Sequence, residues 1–209
     1  MLKKLQVRKT AHYYVQNPTE KVTSILYVLH GYGQNADAFL KEFTILKDYG
    51  VLVIAPEALS KFYNKKGDAV SNWMTSRNRL DEIADYKQYL NQLREDVEQK
   101  ELTKNIAFLG FSQGVSTCLR WLSLYQDSIN CFLCSGSVPP ELSQGDFKEV
   151  KHRIHYFFGD DDPLLTLNNA KTQVEQIASL GQEVTPHPFK GSHEISESCL
   201  AELINWAQA

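Results

Sequence analysis

No run of about 18 consecutive apolar residues occurs in this chain, so no segment reads as a helix that crosses a bilayer. Basic excess is missing too. With 22 Lys and Arg against 25 Asp and Glu, the net charge of -3 offers no cationic surface to neutralise phosphates, and nucleic acid is not expected as a partner. The basic start, Met1 to Arg8, is not followed by the apolar stretch of a secretory signal. A cytoplasmic location without stable membrane insertion is the expectation. Cysteine is sparse, with 4 residues, at positions 118, 131, 134 and 199, mostly inside apolar runs, and a chain with a good core needs no disulfide framework. Cys131 and Cys134 have a C-x-x-C spacing, but no second such pair completes a tetrahedral metal site. On a strand, positions three apart point to opposite sides, so both read as buried structural thiols and no metal is expected. Internal repeats are absent, and no G-x-G-x-x-G or Walker pattern follows a strand, which argues against a nucleotide-binding module.

What remains is an ordinary globular composition: 209 residues, 43% hydrophobic, fitting one α/β domain over residues 1–209. Strand-like runs at residues 12–16, 24–29, 51–55, 106–109, 129–134, 154–158 and 183–189 alternate with helix-like stretches at 36–48, 81–100, 115–125 and 166–180 and one starting at 194. Repeated strand, helix, strand order implies a mostly parallel sheet with helices on both faces, whose ligands bind beyond the carboxyl ends of the strands. Residues 56–80 break the alternation. They show no sustained period but carry Phe62, Tyr63, Trp73 and Met74, which suits a binding loop or lid.

The most specific feature is Gly110-Phe111-Ser112-Gln113-Gly114, between the buried strand at 106–109 and the helix at 115–125. This is the context of a nucleophile elbow: a serine in a sharp strand-to-helix turn, with glycines two positions either side to allow close approach of the two elements. The N-terminus of the helix directs unsatisfied amides and positive potential at the same point, where negative charge would form.

A serine hydroxyl is a weak nucleophile without a base and a group to orient that base. After Ser112 come His152, His155, His187 and His193. His155 and His187 fall within strand patterns, and His152 precedes its strand at the end away from the serine. His193 lies in the turn Lys190-Gly191-Ser192-His193, between a strand and the last helix, where a ring can reach the carboxyl edge of the sheet. For the acid, Asp160-Asp161-Asp162 follows a strand at that same edge, and Asp162 before Pro163 is also a favoured helix cap. Local chemistry leaves the three open. An oxyanion needs two backbone donors, one from Gln113 after the serine and one from the turn Gly31-Tyr32-Gly33 after an early strand, where Tyr32 is the choice. His30 reads as a structural residue of that turn.

These residues resemble the phospholipase/carboxylesterase family of α/β-hydrolases, which includes bacterial carboxylesterases and acyl-protein thioesterases. The likeness spans nearly the whole chain. It rests on Leu29-His30-Gly31-Tyr32-Gly33, the Gly-Phe-Ser-Gln-Gly elbow, Ser135-Gly136, Gly159-Asp160-Asp161-Asp162-Pro163-Leu164 and Gly191-Ser192-His193. It implies an α/β-hydrolase fold, and it selects Asp162, the aspartate directly before the proline, as the acid and Tyr32, between two glycines, as the turn donor. Departures concern the substrate. Phe158 stands where members often have histidine, Tyr32 where the thioesterase branch resembles a leucine, and Asn72-Trp73-Met74 is only loosely similar to the family's tryptophan-containing loop.

The expectation is a serine esterase with catalytic Ser112, Asp162 and His193, oxyanion donors Tyr32 and Gln113, and no cofactor, acting on a small-molecule ester of short to medium acyl chain. The alternative is a lysophospholipase or acyl thioesterase. Trp73 and Met74 are expected to line the substrate pocket, Trp73 beside Tyr32, because apolar walls with a few polar groups suit acyl chains.

Overall fold

The apolar runs assemble into one seven-stranded sheet. In the computed structural model, which describes residues 1, 3–101, 103 and 105–209, the elements in chain order are β1 (Tyr13–Gln16), β2 (Ser24–Leu29), α1 (Ala36–Leu40), β3 (Val51–Pro56), β4 (Ser60–Tyr63), β5 (Ala69–Asn72), α2 (Arg79–Glu98), β6 (Asn105–Phe111), α3 (Gln113–Leu122), β7 (Asn130–Cys134), β8 (Arg153–Gly159), α4 (Leu167–Ser179), β9 (Glu183–Phe189) and α5 (Glu197–Gln208). The sheet runs β1-β3-β2-β6-β7-β8-β9. All neighbours are parallel except β1, which pairs antiparallel to β3 at the edge. This is the mostly parallel sheet that the alternation implies, and the α/β-hydrolase fold that the resemblance implies.

Burial on both faces explains why β2 and β3 are unbroken apolar runs. Side chains alternate between two cores. Ile25, Tyr27, Phe108, Cys131 and Tyr156 face one, with α2, α3 and α4 residues packed on them. Leu26, Val28, Leu109, Cys134 and Phe157 face the other, covered from α1 and α5. Cys131 and Cys134 therefore point to opposite sides, as their spacing implies, and each meets another thiol. Cys118 Sγ on α3 lies 3.6 Å from Cys131 Sγ, and Cys199 Sγ on α5 lies 3.5 Å from Cys134 Sγ. All four thiols are free and buried.

Two expectations change. The helix anticipated over 36–48 is α only to Leu40 and then winds more tightly as a 3₁₀ helix, Lys41–Tyr49, ended by Gly50 at φ 71°. Its carbonyls are shared with other donors: Gln16 Nε2 reaches Phe43 O at 2.9 Å and Thr19 N reaches Lys47 O at 2.9 Å. The second change is in residues 56–80, which contain the β4–β5 hairpin rather than an unpatterned loop. Asn64 organises its turn, accepting from Lys66 N at 2.9 Å and Asp68 N at 3.0 Å through Oδ1, with Gly67 at φ 86°. Strands of four residues are too short for an alternating pattern to stand out.

Candidate active site

Ser112 is the single residue between β6 and α3, with φ 54° and ψ -117°, a region that costs a residue with a side chain. Its N–H donates to Cys134 O on β7 at 2.9 Å, so the strained turn is anchored in the sheet. The flanking glycines are required by contact. A Cβ on Gly110 would lie 2.5 Å from Gly114 O, and one on Gly114 would lie 2.1 Å from Leu29 O and 2.8 Å from His30 O. The helix thus starts directly against the end of β2. The turn after β2 is equally close, since a Cβ on Gly31 would fall 3.1 Å from Ser112 Cβ.

His193 reaches the site from the turn after β9, and its Nδ1 lies 2.8 Å from Asp162 Oδ2. The ionised carboxylate only accepts, so Nδ1 carries a proton, and in the neutral ring that tautomer puts the lone pair on Nε2. Burial works to raise the Asp162 carboxyl, but the hydrogen bond from His193 and the backbone N–H groups of Leu164 and Leu165 outweigh it and hold the pKa below the ordinary aspartate value. Those amides bond to the other oxygen, Oδ1, at 2.8 and 3.0 Å. Capping and orienting therefore do not compete, because each uses its own oxygen. The cap also serves the turn at 164–165 rather than α4, whose N-cap is Thr166. Asp160 instead ties the histidine turn, accepting from Gly191 N at 3.1 Å, and both Asp160 and Asp161 are exposed. The His193 ring leans on Phe111 with centroids 4.8 Å apart.

Ser112 and His193 face one cavity of about 220 Å³, lined also by Gln113, Ser116, Ser135, Gly136, Ser137, Leu164 and Leu165. The turn of Tyr32 approaches Ser112 through Gly31. Among the described residues, neither Tyr32 N–H nor Gln113 N–H has a protein acceptor. His30 is structural, as anticipated: fully buried, with Nδ1 2.7 Å from Gly31 O and Nε2 accepting from Ala58 N at 3.2 Å. Desolvation lowers its pKa and keeps it neutral.

Trp73 and Met74 are not placed as expected. Neither lines the cavity. The Trp73 indole is 1% exposed, packed between the His30 and Tyr86 rings, and Nε1–H donates to His30 O at 2.9 Å. Tyr32 packs instead against Phe62, centroids 5.1 Å apart and ring planes tilted by 32°. Gln113 has a role that sequence reasoning missed: its side chain accepts from Trp73 N at 3.0 Å and donates to Met74 O at 2.9 Å. The glutamine of the Phe-Ser-Gln form was the available signal. The remaining histidines lie elsewhere. His155 and His187 contact each other at 3.1 Å across β8 and β9, away from the cavity lining, and His152 is wholly buried. Among the described residues, no three His, Cys, Asp or Glu side chains form a group that could hold a metal, and no helix is long and apolar enough to cross a membrane.

Strand order, elbow and an aspartate-bound histidine at the carboxyl edge define an α/β-hydrolase. More closely, residues 10–209 match the family model described as phospholipase/carboxylesterase, and the chain belongs to that family. It is a hydrolase of the ester-cleaving kind. Solved structures agree on the fold. An esterase named PE8 is 17% identical, with 96% of this chain and 99% of that one covered and a TM-score of 0.74. Acyl-protein thioesterase 2 of Zea mays is 14% identical, with 95% and 98% covered and a TM-score of 0.75. A carboxylesterase of Bacillus cereus is 15% identical, with 95% and 93% covered and a TM-score of 0.71. No curated protein sequence matches the chain.

Proposed function

We propose that this protein is a serine carboxylesterase that cleaves esters of short to medium acyl chains through an acyl-enzyme. The observation that carries the reading is the 2.8 Å contact of His193 Nδ1 with Asp162 Oδ2, on a ring that shares one cavity with the strained Ser112. Ser112 Oγ attacks the acyl carbonyl as its proton passes to His193 Nε2, and Asp162 stabilises the imidazolium that forms. Tyr32 N–H and Gln113 N–H donate to the oxyanion, helped by the positive end of α3. His193 returns the proton to the leaving oxygen, and water then releases the acid by the same steps in reverse.

The cavity volume of about 220 Å³ supports a small group. Pockets for drug-sized ligands run to roughly 300–1,000 Å³. A lysophospholipase or acyl thioesterase is the second reading, favoured by Leu164, which is 73% exposed at the cavity and gives a longer chain an apolar lip. The test is a panel of p-nitrophenyl esters of rising acyl length, run beside lysophospholipid and acyl-thioester substrates, with fluorophosphonate labelling of the parent and Ser112→Ala. Short esters should lead and labelling should vanish in the variant. Faster turnover of lysophospholipid or thioester selects the second reading, and labelling that persists without Ser112 overturns both.

A further inference from the structure

Trp73 lies between the two segments that carry the proposed oxyanion donors and bonds to each. Its indole Nε1–H donates 2.9 Å to His30 O, two residues before Tyr32, and its backbone N–H donates 3.0 Å to Gln113 Oε1. Gln113 Nε2 closes the loop by donating to Met74 O at 2.9 Å. The strand leading into Trp73 grips the same turn. Gly33 N–H donates to Ser71 O at 2.9 Å, and Ser71 N–H donates to Gln34 O at 3.2 Å. The indole has no freedom to do otherwise, being enclosed with centroids 5.2 Å from the His30 ring and 6.1 Å from Tyr86.

We infer that Trp73 is a positioning residue of the oxyanion hole, a bridge whose two N–H groups tie the Tyr32 turn to Gln113 and so set the spacing of the two backbone donors. The inference rests on the assignment of Tyr32 and Gln113 in the proposed function. An oxyanion hole works because its dipoles are already aimed at the charge that develops, so its spacing matters most in the transition state and little in the ground state. A wall of the acyl pocket would do the opposite, acting on substrate affinity according to chain length. The two roles therefore separate in kinetics.

Trp73→Phe keeps a buried aromatic ring but removes the indole N–H together with the volume of the second ring. For p-nitrophenyl acetate, kcat should fall about 10-fold, short of the roughly 10²–10³ that loss of a whole donor costs, with KM within about two-fold. Affinity for a trifluoromethyl ketone, whose hemiketal oxyanion needs the same donors, should fall by the same factor as kcat. Gln113→Ala, which keeps the backbone N–H and removes the other anchor, should repeat the pattern, and it decides the matter if Trp73→Phe does not fold. The inference is overturned if the folded variants keep parental kcat and ketone affinity, or if KM changes with acyl length while kcat stays put. A parent that fluorophosphonate does not label at Ser112 overturns the serine reading itself. A labelled parent with unaltered variants overturns only the bridge.

Discussion

Asp162 holds His193 with one carboxylate oxygen only: Oδ2 lies 2.8 Å from Nδ1, while Oδ1 is occupied by the amides of Leu164 and Leu165. The backbone thus fixes the carboxylate, and the carboxylate fixes the imidazole. Asp162→Asn keeps an oxygen for the two amides but presents an NH₂ group to Nδ1, which forces the wrong tautomer. Kcat should drop by roughly 10⁴-fold with little change in thermal midpoint. Asp160→Asn and Asp161→Asn, both at exposed positions, should stay close to parental kcat. Steady-state kinetics and melting curves on the three variants check this.

Strain at Ser112 predicts a gain in stability when the nucleophile is lost. Its φ of 54° is freely accessible to glycine. Ser112→Gly should therefore abolish ester hydrolysis and leave stability unchanged or raised by up to about 1 kcal/mol, from strain relieved against the greater freedom of glycine when unfolded. Chemical denaturation of parent and variant provides the comparison.

Contact between α3 and the end of β2 predicts the reverse at Gly114. A Cβ there meets Leu29 O at 2.1 Å, so Gly114→Ala must push the Tyr32 turn away from the elbow. Stability should fall by about 1–3 kcal/mol and activity with it. At Gly145 the nearest atom to an added Cβ is 3.9 Å away, and Gly145→Ala should leave activity unchanged.

His152 predicts acid lability. Both ring nitrogens are buried without partners among the described residues, and burial pushes the pKa down to about 4. The unfolded chain takes up this proton at about pH 6.5. Between those values the unfolded state binds more protons than the native one, so stability falls as pH is lowered, with a ceiling of about 1.4 kcal/mol per pH unit for one group. His152→Leu should flatten the decline of the melting midpoint between pH 7 and 4.5. Some slope will remain, because His30 is shifted in the same direction by the same cause.

The elbow, the histidine turn and the parallel sheet are legible in the chain because each leaves a local mark: an apolar run buried on both faces, glycines where backbones touch, and a histidine in a glycine turn at a strand end. Other features depend on partners far along the chain. Nothing near Trp73 distinguishes a pocket wall from a bridge, since its bonds go to residues 43 and 40 positions away. The division of labour within Asp162 is hidden for a different reason. Residue type and spacing count carboxylates, whereas the structure assigns their oxygens singly. The β4–β5 hairpin is marked only by its Asn64 and Gly67 turn, which goes unnoticed when a sustained period is the criterion.

The paired thiols give the molecule an internal gauge of its own opening. Cys118 and Cys131 lie on one side of the sheet and Cys134 and Cys199 on the other, all closed to solvent. Burial also pushes the Cys131 and Cys134 thiols up, away from the reactive thiolate. A thiol reagent can reach them only when a helix lifts from the sheet. Because Cys134 O holds the Ser112 N–H and Cys118 sits on α3, the rate of sulfur modification becomes a clock for how often the elbow comes apart, readable by mass without any substrate.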